Sequence, residues 1–226
     1  MSRIQLARWS GVVYLLLIIT GIFGIVYVPT VIIDWSDPAV TASNVQTKEF
    51  LFRMGIFSEL ICFILFIVLP LMLYKLLHTV NRDAAILMVV FSLISIPSTL
   101  SNVVKHIDII FLLEEHAYLQ VIPLEQLHAK IMYLFGSYNN ATLVSNIFWG
   151  AWLIPFGFLV YKSNFLPKLI GVFLVLGGVG YFLEFALKFI FTIDQVPWYV
   201  TLPSSIGEFG VCLWLLIFGV KKEVIA

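Results

Sequence analysis

The chain has 226 residues, of which 61% are apolar and only 12% charged, against roughly 45–50% and about 25% in an ordinary soluble domain. Lysine plus arginine number 13 and aspartate plus glutamate 13, so the formal net charge is zero, and mean hydropathy is +1.03. A soluble core of this length has no room for so much apolar surface. A soluble globular enzyme, a disordered chain and a nucleic-acid binder are therefore excluded, and lipid is the expected solvent.

Six runs reach the roughly 20 apolar residues a helix needs to cross a bilayer. They are Trp9–Ile33, Leu51–Leu77, Ala84–Val104, Ala141–Tyr161, Lys168–Phe191 and Leu202–Val220. The expected fold is all-α, a polytopic six-helix bundle forming one integral membrane domain over residues 1–226. Arg3 and Arg8 precede the first run. Its apolar stretch is too long for a signal-peptide h-region and no small-x-small site follows closely, so it reads as a retained helix. Asn81-Arg82-Asp83 reads as a tight polar turn between the second and third spans. Pro70, Pro97 and Pro155 lie inside spans and read as kinks whose freed backbone groups find neighbours. Lys105–Gln120 and Leu124–Phe135 mix apolar and charged residues. They are either extensions of the neighbouring spans or a short helical cap on the outer interface between the third and fourth spans, and the expected fold carries the cap. Pro167 stands where a helix start tolerates it. Cys62 and Cys212 lie in apolar runs and read as small core residues rather than a disulfide.

Orientation follows from counting cations by side. Arg3, Arg8, Lys75, Arg82, Lys162, Lys168, Lys221 and Lys222 fall on one side, and Lys48, Arg53, Lys105, Lys130 and Lys188 on the other. The richer side is cytoplasmic, which places both termini in the cytoplasm.

A charge at mid-bilayer costs roughly 2.5–3.5 kcal/mol on insertion scales, so each needs a partner or a wet cavity. At 1.5 Å of rise per residue, Glu59 lies about 12 Å and Glu208 about 9 Å below the outer surface, and Glu184 roughly 6–10 Å below it. On the third span Ser95, Ser98, Asn102 and His106 recur as one polar stripe. Asn146 is near the outer end of the fourth span. Gly177, Tyr181, Glu184 and Lys188 share a face of the fifth, and Ser205, Glu208 and Cys212 a face of the sixth. Arg53 caps the outer end of the second. The expectation is a polar pocket open to the outer face, built by Arg53, Glu59, Asn102, His106, Glu184, Lys188 and Glu208. A purely structural reading stands beside it: Glu184 and Lys188 have favourable i,i+4 ion-pair spacing, and the serines and asparagines can simply bond between helices.

No H-E-x-x-H or comparable metal motif is present, so no metal ligand set or cofactor is assigned. Nor is there a G-x-S-x-G elbow for a nucleophile. Acidic residues in a polar layer that stops in the outer half fit binding better than full translocation.

Short motifs occur in a set order: Leu51-Phe52-Arg53, Leu73-Tyr74-Lys75-Leu76-Leu77, Tyr161-Lys162-Ser163 through Leu166-Pro167 and Gly171, Gly180-Tyr181, Gly207-Glu208 and Leu213-Trp214-Leu215-Leu216. This pattern resembles a family of bacterial multi-pass membrane proteins known as domain of unknown function 4386, from about Ala7 to Val220. The resemblance implies a helical membrane fold in a bacterial inner membrane and no activity. The chain departs from it at Asn146-Ile147-Phe148-Trp149, where a polar or His-containing start of the fourth span is expected, which argues against a ligand from that span.

The leading expectation is a non-enzymatic membrane protein of the lipid bilayer that binds a small polar or zwitterionic ligand, or a protein partner, in this pocket. An intramembrane hydrolase or metal-dependent enzyme, and an accessory or immunity-type subunit packed against another membrane protein, are the alternatives.

Overall fold

The structure, a computed structural model, describes residues 2–114, 121–193 and 195–220. Among these there is no strand. The helices are α1 (Arg3–Ile32), α2 (Pro38–Thr47), α3 (Glu49–Leu77), α4 (Arg82–Leu113), α5 (Leu124–Lys162), α6 (Lys168–Phe189) and α7 (Leu202–Ile217). Five of them, α1 and α3 to α6, are long and apolar enough to cross a membrane. The sixth expected span, α7, has 16 residues, about 24 Å of helix. Ile64, Leu87, Val104, Leu176 and Leu213 are exposed, on a scale that suits a lipid-facing surface and not water. Lys221 and Lys222 of the cation count lie outside the described residues.

Two helices outrun their apolar windows. A helix stops at caps and breakers, not where hydrophobicity falls. At the start of α4, Asn81 Oδ1 accepts the Ala84 amide at 2.8 Å, and the helix then runs 32 residues. Helix α5 begins beside Pro123 and runs 39 residues, so Leu124–Phe135 is its first part and not a separate cap. Of the expected cap, residues 105–113 continue α4, and residues 115–120 lie outside the described residues. Pro70, Pro97 and Pro155 each sit within one continuous helix.

Two features were not anticipated. Residues Ile22–Tyr27 of α1 form a π turn, in which the Val28 N–H donates to the Phe23 carbonyl five residues back. And α2 occupies the connection after α1. Asp37 is its N-cap, accepting the Ala39 amide at 2.9 Å and the Val40 amide at 3.1 Å, with Pro38 in the first turn. Asp followed by Pro is a helix-start signal. Just before it, hydrogen bonds from Ser36 hold the Asp34 carboxyl below its usual range. Helix α2 ties back to α1: Asn44 Nδ2 donates to the Ile32 carbonyl at 3.1 Å and Lys48 Nζ to the Val31 carbonyl at 3.2 Å. These donors satisfy carbonyls that a helix end leaves unpaired. Replacing Asp37 with alanine is expected to weaken α2 by about 1 kcal/mol. Hydrogen exchange at the Ala39 and Val40 amides should then quicken about fivefold, and unchanged protection there would refute the cap.

By contacts the chain forms two compact units. The first comprises residues 1–16, 65–96 and 143–226. Its helices approach backbone to backbone through glycine. A Cβ on Gly157 would lie 2.6 Å from the Gly171 carbonyl oxygen, and one on Gly150 2.7 Å from that of Gly178. The two pairs stand seven residues apart on each helix and in reverse order, so α5 and α6 run antiparallel in one register. The α6–α7 contact repeats the device: Gly177 meets the Ser204 backbone, and a Cβ on Gly207 would lie 2.8 Å from the Leu174 amide. Small residues at such crossings permit the close packing that lipid-embedded helices rely on. Trp152 fills the same unit, edge-on to Phe66 and stacked on Phe156.

The second unit comprises residues 17–64 and 97–142. Here α1 meets α3 at the π turn, where a Cβ on Gly24 would lie 2.7 Å from the Gly55 carbonyl oxygen. Ser58 Oγ donates to the Thr20 carbonyl at 3.0 Å on the same seam.

Candidate functional site

In the second unit three helices converge on a buried acid. Helix α3 supplies Phe52 and Glu59, seven residues apart and so on one face. Helix α4 supplies Asn102 and His106, an i,i+4 pair, and α5 supplies Phe135, Tyr138 and Thr142 at the same kind of spacing. Glu59 is 1% exposed and His106 3%. The Tyr138 hydroxyl donates to Glu59 Oε1, and His106 Nδ1 lies 3.5 Å from Glu59 Oε2. That separation is too long for a good hydrogen bond but short for an electrostatic contact. The imidazole stacks on the Tyr138 ring at 4.0 Å between centroids, with Phe52 and Phe135 against its other sides at 5.5 and 5.7 Å. Aromatic walls lower the local dielectric, which makes an unpaired charge there costly.

A second layer fixes α4 to α5. Asn102 Nδ2 donates to the Tyr138 carbonyl at 3.0 Å and to Thr142 Oγ1 at 3.2 Å. Lys105 Nζ donates to the Ser137 carbonyl at 2.8 Å. Two buried acceptors of the cluster, Glu59 Oε2 and Asn102 Oδ1, have no hydrogen-bond partner among the described residues.

The other expected residues are placed differently. Arg53 sits on an exposed part of α3 between two carboxylates, 2.6 Å from Glu49 Oε1 and 3.2 Å from Glu114 Oε1. It borders an apolar groove of about 390 Å³ between α3 and α4, along Phe57, Leu60, Ile107 and Phe111. Glu184, Lys188 and Glu208 belong to the first unit. There Lys188 Nζ bonds Glu184 Oε1 at 2.7 Å and Asn146 Nδ2 reaches Glu184 Oε2 at 3.4 Å. Glu208 Oε2 accepts from the buried Tyr14 hydroxyl at 3.1 Å. Tyr181 lies within electrostatic reach of both Glu184 and Glu208, which makes this a second acid–tyrosine assembly. Among the described residues no three of His, Cys, Asp and Glu converge as a metal-binding group.

Two stripes shift by one residue. Thr99, not Ser98, is buried beside Asn102 on α4, and Ser204, not Ser205, is buried on the Cys212 face of α7. Ser98 and Ser205 are exposed. The alternative spacings differ by one residue, about 100° around a helix, and a run of small hydroxyls offers no hydrophobicity contrast to choose between them. Tyr138 and Tyr14 were not anticipated as acid partners. The spacing of Ile131, Phe135, Tyr138 and Thr142, in steps of four, three and four, is the signal that marks Tyr138 as inward-facing.

A family model described as "Domain of unknown function (DUF4386)" matches residues 9–219. The chain belongs to this family. The DUF4386 match spans from within α1 past the end of α7 and so takes in both acid assemblies. An uncharacterized protein of Archaeoglobus fulgidus is similar to a shorter stretch, 35% identical over 81 residues. That match covers 35% of this chain and 48% of the relative, so the chain spans about half the length of the curated relative it matches. No solved structure matches. The DUF4386 chain is thus a helical, multi-span protein of membrane composition, and what it does has to be argued from its own side chains.

Proposed function

We propose that this DUF4386 protein is an integral protein of the cytoplasmic membrane, with α7 as a sixth crossing and both termini in the cytoplasm. Its Glu59–His106–Tyr138 cluster would hold the cationic or hydrogen-bond-donating end of a small polar ligand entering from the outer side. The observation that carries this reading is the surplus of buried acceptors, Glu59 Oε2 and Asn102 Oδ1, in one cluster. Buried polar atoms are normally matched, and a ligand ammonium or amide supplies the missing donors.

The test is a thermal-shift screen of the purified full-length chain in detergent against small amines, amino acids and quaternary ammonium compounds. At least one should stabilise the wild type and the Glu125→Gln control alike, and Glu59→Gln should abolish the response. If no compound stabilises the protein, or Glu59→Gln responds as the wild type does, the ligand reading fails and the cluster is structural.

A further inference from the structure

Donors and acceptors do not balance around Glu59, and the imbalance has a definite sign. The Tyr138 hydroxyl gives its proton to Glu59 Oε1. Asn102 Nδ2 directs one N–H to the Tyr138 carbonyl at 3.0 Å and the other to Thr142 Oγ1 at 3.2 Å. The Thr142 hydroxyl turns its own proton onto the Tyr138 carbonyl at 3.0 Å. An amide has two N–H groups and a hydroxyl one proton, so Tyr138, Asn102 and Thr142 have no side-chain donor left. What remains unmatched among the described residues is a pair of acceptors, Glu59 Oε2 and Asn102 Oδ1, on side chains of residues only 1% and 4% exposed. His106 Nδ1, 3.5 Å from Glu59 Oε2, stands beyond good hydrogen-bonding distance.

Turning the Asn102 amide over does not relieve the surplus. It would set Oδ1 against the Tyr138 carbonyl, acceptor against acceptor. The aromatic rings do not frame a methylated cation either. A cage for quaternary ammonium presents ring faces to it. Here the imidazole lies on the Tyr138 ring at 4.0 Å and 19°, and Phe52 meets Phe135 at 5.9 Å and 63°. The rings pack on one another, and the polar demand of the cluster is for N–H.

We propose that the group this cluster takes from its ligand is a protonated primary amine, held through its N–H bonds by Glu59 Oε2 and Asn102 Oδ1. This rests on the ligand reading above and narrows it to one chemical class. A primary ammonium carries three donors and no acceptor, so it suits a site that is short of donors alone. The acid at one of the two positions makes a charge-assisted bond, roughly twice as strong as a neutral one. Each methyl group placed on the nitrogen removes a donor. A quaternary ammonium keeps the charge but has no donor, and would leave both acceptors buried and unmatched, the situation in which discrimination is steepest.

The experiment reads the melting temperature of the purified full-length protein in detergent against two methylation series at matched ionic strength. One runs from ethanolamine through its N-methyl and N,N-dimethyl derivatives to choline, the other from glycine through sarcosine and dimethylglycine to betaine. Within each series the net charge is constant while the N–H groups are removed one by one. Apparent affinity should fall by about tenfold or more from the primary to the quaternary member of a responding series, and Glu59→Gln should abolish the effect of the primary amine. Equal stabilisation along a series, or a stronger effect of choline or betaine, overturns the primary-amine assignment and leaves ligand binding at Glu59 standing. Silence from both series overturns it as well, even where another compound stabilises the wild type. A primary-amine effect that survives Glu59→Gln, or silence from every compound of the wider screen, removes the ligand reading together with this one.

Discussion

Glu59→Ala should lower the unfolding free energy of the detergent-solubilised protein by about 3–5 kcal/mol, the usual cost of removing one partner of a buried polar pair. The change strands the Tyr138 hydroxyl and leaves His106 facing a void between aromatic rings. Glu59→Gln retains an oxygen for Tyr138 and offers an NH₂ to His106 Nδ1, so its cost should be about 1 kcal/mol. The contrast between the two variants is the informative quantity, because both remove the acid while only one removes the hydrogen-bonding shape. Reversible unfolding in mixed micelles measures it. A cost below about 1 kcal/mol for Glu59→Ala would mean that Tyr138 and His106 re-pair without the acid and that the cluster contributes little to packing.

The second large effect belongs to the glycine seam of the first unit. Gly157→Leu should destabilise by about 3 kcal/mol or more, at the upper end for overpacking, because the first atom the new side chain meets is a backbone carbonyl and not a movable side chain. A Cβ alone would sit 2.6 Å from the Gly171 oxygen. Gly136 on the same helix is the control: a Cβ there meets nothing within 4 Å. Gly136→Ala should therefore be neutral or stabilise by up to about 1 kcal/mol through helix propensity alone. Equal melting temperatures for Gly157→Leu and the wild type would show that α5 and α6 do not approach as described.

Much of this architecture was readable from composition. Long unbroken apolar runs declare helices in lipid because a helix satisfies its backbone hydrogen bonds within the segment, whereas barrel strands are short and alternate in polarity. The helix ends were less readable. Apolar windows follow the membrane, whereas α4 runs on past Val104 to Leu113 and α5 starts at Leu124, ahead of Ala141, because no proline interrupts either extension. Helix α2 was legible only through Asp37-Pro38. The acids were legible individually, since a carboxylate in an apolar run is conspicuous. Their partners were not: Tyr138 lies 79 residues from Glu59 and Tyr14 lies 194 from Glu208. Nothing local links residues so far apart, and a tyrosine in an apolar run looks like any other aromatic. His106 was marked by its stripe with Asn102, whereas Arg53 was grouped with the buried acids although its partners are Glu49 and Glu114.

The way α4 holds α5 carries a consequence for how the family can drift. Asn102 and Lys105 address the main-chain carbonyls of Tyr138 and Ser137. A carbonyl is supplied by whatever residue occupies the position, so the clasp places no demand on the identity of residue 137. Mutational freedom is thus distributed unevenly across the contact: the α4 donors are constrained by their chemistry, while the segment they grip is constrained by staying helical and, at 138, by the phenol that Glu59 requires.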